Sequence, residues 1–208
     1  MQPIFSRNED YNKIAFLNWR IEQYSDILNM VNIADGFMKS AIELSNFALT
    51  NNREKVADIL IFPILTNANH SIELYLKAIM WMLNKKMGEE LKIEGKHNIR
   101  QIYATVRSKI KSYGGGLSLK DFTESTLGLS LYIEELFEKT NATPKEDKMD
   151  FSRYPFSEKY VNHFYVDEIG NVEVDLENFI SRFTEIHQSL DRISEYLYYI
   201  ELNQEQDF

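Results

Sequence analysis

No cysteine occurs among the 208 residues, which excludes both disulfides and thiolate metal sites. Long apolar runs are also missing. The longest, Ile59 to Leu65, is far too short to span a bilayer, and the opening MQPIFSRNEDYNK has no signal-peptide apolar region. A soluble, cytoplasmic protein without membrane contact is the expectation. Positive charge is in short supply: the net charge is −9, so the surface as a whole is a poor phosphate binder. The chain has no G-x-G-x-x-G, P-loop, G-x-S-x-G or H-E-x-x-H. A di-iron bundle needs two E-x-x-H pairs, and the single match, Glu94 to His97, contains the helix-weakening Gly95. No two of the four histidines have ligand spacing. No metal and no cofactor are expected.

What is present is helical periodicity. The hydrophobic fraction of 44% fits a globular chain, and the length suits one domain, taken as residues 1–208. Its organising stretch is Asn67 to Leu83, NANHSIELYLKAIMWML. Ile61, Leu65, Ala68, Ile72, Leu76, Ile79 and Leu83 recur at spacings of three and four, while Leu74, Ala78 and Trp81 widen the stripe. This is expected to be the central helix of a bundle. Asn69, His70, Glu73 and Lys77 form one polar line within it, with Glu73 and Lys77 as a structural i,i+4 pair. The line is either the wetted edge of a core helix or an internal network that fixes packing.

Before this stretch, apolar residues from Ile14 to Ala48 predict one long helix from about Tyr11, or two joined at Gly36, and Pro63 predicts a kink or restart in the next. Gly88 is placed to end the central helix. Asn98 to Tyr113 reads as a short helix stopped by Gly114, Gly115 and Gly116, and Ser118 with Asp121 as a capping box opening a helix to about Lys139. Residues 140–175 read as an insertion: a charged loop, then a small β-hairpin in which Val161, Phe164 and Val166 turn through Ile169-Gly170-Asn171 into Val172 and Val174. Asp175 is the expected N-cap of the last helix, whose seam is Phe179, Phe183, Ile186, Leu190, Ile193, Leu197 and Ile200. Such a seam suits a bundle core or a helix–helix dimer contact, and the tail from 203 is expected to fray. The fold class is therefore all-α, about five or six helices with a hairpin before the last.

Two groups of residues bear on function. Between Lys85 and Lys111 there are eight Lys and Arg against three Glu. If the ligand is RNA, Lys96, Arg100, Arg107 and Lys111, with Arg153 from the loop, are the candidate contacts; the plain alternative is a solvated helix face. In the last helix Arg182 precedes His187 by five residues, so the two sit about 140° apart and flank the apolar seam. Packing of that seam on a second copy would bring two Arg–His pairs together. Otherwise the two border a buried seam, reaching water or bonding Glu185, Ser189 or Asp191.

An R-x4-H in a late helix, behind IELYLKAIMWML, KHNI and RYPF, resembles the HEPN superfamily of prokaryotic all-α domains over roughly residues 30–200. The resemblance implies a small, dimeric helical bundle pairing through the last helix. It implies a metal-independent endoribonuclease of the toxin–antitoxin, abortive-infection or CRISPR kind, with an antitoxin or other partner protein. His187 would be its acid/base and Arg182 its phosphate clamp, the 2′-hydroxyl attacking to leave a cyclic phosphate. Other members have lost the pair and serve as non-catalytic modules that bind protein, nucleotide or RNA. This sequence departs from the family at two places: Phe183 stands where a small polar residue often follows the Arg, and Ser189 where one branch has a tyrosine.

Overall fold

The computed structural model describes residues 3–17, 20–21, 25–90, 97–142, 148–167 and 171–203. Among these, seven α-helices form an all-helical bundle: α1 (Asp26–Thr50), α2 (Ala57–Met87), α3 (Ile99–Tyr113), α4 (Leu119–Ser125), α5 (Leu127–Lys139), α6 (Phe164–Asp167) and α7 (Leu176–Glu195). No described helix is long and apolar enough to cross a membrane.

The centre is α2, as its periodicity predicts. It packs on α1, α3 and α7, and Ala68, Ile72, Leu76, Ile79 and Leu83 are fully buried. Along α1 a 4-3 seam of Ile27, Val31, Ala34, Met38, Ala41, Ser45 and Ala48 is buried. Four of those seven side chains are alanine or serine, which lets the two axes come close. Ser71 of α2 donates to the Ala34 carbonyl at 2.6 Å, a bond that requires this proximity. α7 lies against α1 and α2 and buries Phe179, Phe183, Ile186, Leu190 and Ile193. The seam of the last helix is thus part of this chain's own core.

Helix ends follow local chemistry. Gly88 and Gly114 close α2 and α3 in the left-handed conformation, at φ 69° and 68°, which costs glycine nothing. Asn98, Ser118 and Asp175 accept from the backbone N–H three residues on, capping α3, α4 and α7. After α7 the chain makes a π-helical turn, Tyr196–Glu201. Glu201 accepts there from the Gly116 N–H and the Tyr196 hydroxyl, both at 2.8 Å, and tethers the end of the bundle to the α3–α4 loop.

Of the two alternatives at Gly36 the single helix holds, since α1 runs unbroken through it. Three expectations need correction. The first long helix begins at Asp26, not near Tyr11; Tyr11–Lys13 is a single 3₁₀ turn, and Leu17 and Ile21 are exposed with no core to cover them. Pro63 does not restart α2, which continues through it: the proline sits on the exposed side, where water can take the carbonyl freed by its missing N–H. The helix expected from Ser118 to Lys139 is two, interrupted at Thr126 (φ −105°), whose hydroxyl bonds the Phe122 carbonyl and Tyr103.

The hairpin does not form among the described residues. In place of its first strand, Phe164 and Tyr165 are consecutive residues that both pack inward, which a helical turn allows and strand alternation forbids. Ile169 and Gly170 of the expected turn lie outside the described residues, and a lone bridge joins Phe156 to Asn162.

Gly36 is exposed in mid-helix, and a Cβ built there meets no atom within 4 Å. Gly36→Ala is expected to raise stability by about 0.5–1 kcal/mol, read as a shift in the denaturation midpoint at unchanged m-value.

Candidate functional site

Glu73 is the residue around which the site is built. It lies on α2 at 7% exposure, surrounded by core, and an uncompensated carboxylate there would be costly. Three neighbours answer it. Lys77, one turn on, donates to Oε1 at 2.6 Å; His97 donates to the same oxygen from Nδ1 at 3.0 Å; His70 Nδ1 lies 3.9 Å from Oε2, a charge contact beyond hydrogen-bond range. His97 immediately precedes the N-cap of α3, so the cap fixes the imidazole's approach. The polar line of α2 is therefore the internal network rather than a simple wet edge.

This network opens onto a cleft of about 210 Å³, lined by Phe37, Thr66, Asn69, His70, Glu73, His97, Met149, Ser152 and Arg153. Phe37 of α1 meets the His70 ring edge-on, with centroids 4.6 Å apart. The far wall comes from the loop after α5. Met149 and Phe151 are buried in the core, Thr66 donates to the Ser152 hydroxyl at 2.9 Å, and Tyr165 donates to the Phe151 carbonyl at 2.9 Å. Buried His163 brings its Nε2 to 3.4 Å from Asp150 Oδ1. Tyr165 also donates to the Tyr154 carbonyl at 3.1 Å and the His163 N–H to the Pro155 carbonyl at 3.0 Å, so Tyr154 and Pro155 share in ordering the loop, while Arg153 is exposed at the cleft rim with no side-chain bond to a described residue.

Asn69 is 5% exposed. Its Oδ1 accepts from the Tyr132 hydroxyl at 2.6 Å, and its Nδ2 has no partner among the described residues. Burial pushes the Tyr132 hydroxyl up, so it stays a donor and holds the amide with Nδ2 turned away from it.

The second candidate lies on α7. His187 Nε2 is 2.9 Å from Asp35 Oδ1 of α1, and Asp35 Oδ2 takes Lys39 at 2.7 Å. A carboxylate only accepts, so Nε2 carries the hydrogen of this bond. Tyr75 donates to Asp191 at 3.3 Å nearby; burial, with Asp191 and Asp35 beside it, pushes that hydroxyl up. Arg182 is half-buried and makes no hydrogen bond or ion pair with a described residue, so the structure pairs His187 with Asp35 and not with Arg182. Phe183, fully buried, stacks on Phe179 and meets Tyr132 edge-on, which explains why no small polar residue occupies that position.

No family model, curated protein or solved structure matches the chain. Its chemistry must be read from its own side chains.

The basic segment is dispersed. Arg100 pairs with Glu134 at 2.7 Å and lies over Phe137, Lys109 pairs with Glu89 at 2.6 Å, and Lys86 with Glu201 at 3.4 Å. Arg107 and Lys111 are exposed on α3, away from the cleft lining, and Lys96 lies outside the described residues. Of the four candidate contacts among the described residues, Arg153 alone lines the cleft. Among the described residues no group of three His, Asp or Glu is placed to hold a metal ion.

Burial alone would raise the Glu73 carboxyl, but the contacts from His70 and Lys77, with the charges of Lys77 and His97, bring it down from 4.5 to about 2. A lowered carboxylate stabilises the fold fully above pH about 4.5, and that contribution drains away as pH falls toward 2. Over that window wild type is expected to lose on the order of 3 kcal/mol that Glu73→Gln does not, measured by urea denaturation at stepped pH.

Proposed function

We propose that this chain is a HEPN-type helical module that binds a small ligand in the α2 cleft. The observation that carries the reading is the convergence of Asn69, His70 and Glu73 of α2, His97 before α3 and Arg153 of the distant loop on one concave site. Engagement of positive charge elsewhere supports it: among the described residues, Arg100, Lys109 and Lys86 are paired with carboxylates, which reduces what that segment offers to RNA phosphates. A thermal-shift survey with phosphorylated and unphosphorylated metabolites tests the reading, because a ligand that binds only the folded state raises Tm. At least one compound is expected to raise Tm in wild type and not in Arg153→Ala; a panel without any such compound counts against the module.

A second reading, a metal-independent endoribonuclease using Arg182 and His187, is favoured by one observation. Asp35 orients the imidazole through Nε2, leaving Nδ1 as the nitrogen that can face a substrate, while Arg182 is not engaged by a described residue. In that reading two copies meet on the outer edge of α7, since its apolar seam is in the core. RNA incubated in EDTA should then be cut by wild type and not by His187→Ala. Equal background cleavage by both removes the enzyme.

A further inference from the structure

The cleft has a definite polarity that the binding reading leaves unused. Two of its lining residues lie one helical turn apart on α2: Asn69, whose Nδ2 donor is buried without a described partner, and Glu73, whose Oε2 has the His70 ring nitrogen 3.9 Å away. The other Glu73 oxygen is fully engaged by Lys77 and His97. Its rim presents Arg153, a guanidinium with no described partner.

A buried amide N–H without a partner costs on the order of 1–3 kcal/mol, so the site favours a ligand atom that accepts there. A neighbouring acceptor on Glu73 favours a ligand atom that donates. An alcohol hydroxyl does both from a single atom. Glu73 is already neutralised by Lys77, so Arg153 is surplus charge and calls for an anion. A planar fork of N–H donors at a solvent-facing rim matches the oxygens of a phosphate. Phe37, edge-on to His70, gives the cleft an apolar side against which a carbon skeleton can lie.

We infer that the cleft takes a hydroxylated phosphate monoester, its hydroxyl between Asn69 and Glu73 and its phosphate on Arg153. This rests on the cleft being the module's binding site, and not on membership of the HEPN superfamily. The same chemistry is offered by a free sugar phosphate and by the 5′-phosphorylated ribose of an RNA end.

The test is calorimetric titration of the full chain with ribose 5-phosphate, ribose, inorganic phosphate, and a short RNA with or without its 5′-phosphate. In parallel, the side-chain amide of Asn69 is followed by ¹⁵N NMR. Ribose 5-phosphate should bind at least about tenfold more tightly than ribose or inorganic phosphate, and should shift the Asn69 amide. Arg153→Ala, a surface change that leaves the fold intact, should weaken it by about tenfold or more. Preference for the phosphorylated RNA over both ribose 5-phosphate and the unphosphorylated RNA identifies the RNA end as the source. The reverse order identifies the free sugar phosphate. Equal binding of ribose and ribose 5-phosphate, or binding that Arg153→Ala does not weaken, overturns the inference. If a compound from the thermal-shift survey moves the Asn69 amide while none of these probes does, the inference falls and the binding module stands.

Discussion

A single carboxylate buried in the central helix sets the terms for the rest of this structure. Glu73 sits where α2 is otherwise apolar on almost every side, and it can remain there only with its charge answered. Lys77 answers from the same helix, a local solution that any sequence with this spacing could supply. His97 answers from a different part of the chain, and so ties the approach to α3 onto the core. A buried network of this kind contributes less to net stability than to uniqueness, because a rotated α2 or a displaced α3 would strand the charge.

The scaffold around it divides into a rigid half and a fitted half. α1 and α2 meet through small side chains, and α7 adds large aromatic ones. Together they fix the floor and one wall of the cleft. The opposite wall is a loop without regular structure, held by two buried hydrophobic residues and a few hydrogen bonds. Rigid elements supply the groups that need exact placement, Asn69 and Glu73, and a loop supplies the cation, which tolerates more latitude.

Legibility followed the range of the interactions. The central helix, its stop at Gly88, and the caps at Asn98, Ser118 and Asp175 are encoded within a few residues, so periodicity and turn chemistry reveal them. The misread elements are those where tertiary packing overrides the local pattern. Leu17 and Ile21 carry helical spacing but stay exposed, and Phe164 with Tyr165 turn inward together because Phe62 and Phe151 receive them. The site was half visible. The polar line of α2 stood out, and R-x4-H drew attention to α7, yet the partners that define each site are distant: Asp35 for His187, Tyr132 for Asn69, His97 for Glu73. Arg153 was in view among the basic residues, but nothing local separates it from Arg107 or Lys111, and only the docking of its loop does.

That docking has an evolutionary corollary. Met149 and Phe151 hold the loop from beneath, while the Arg153 side chain faces outward and carries none of the anchoring. Changes at the rim are therefore nearly free of folding penalty, whereas changes at Asn69, Glu73 or Tyr132 strike the core directly. Lineages descending from such an ancestor could trade one ligand for another by drift in a handful of loop codons, keeping the same bundle while its selectivity wandered.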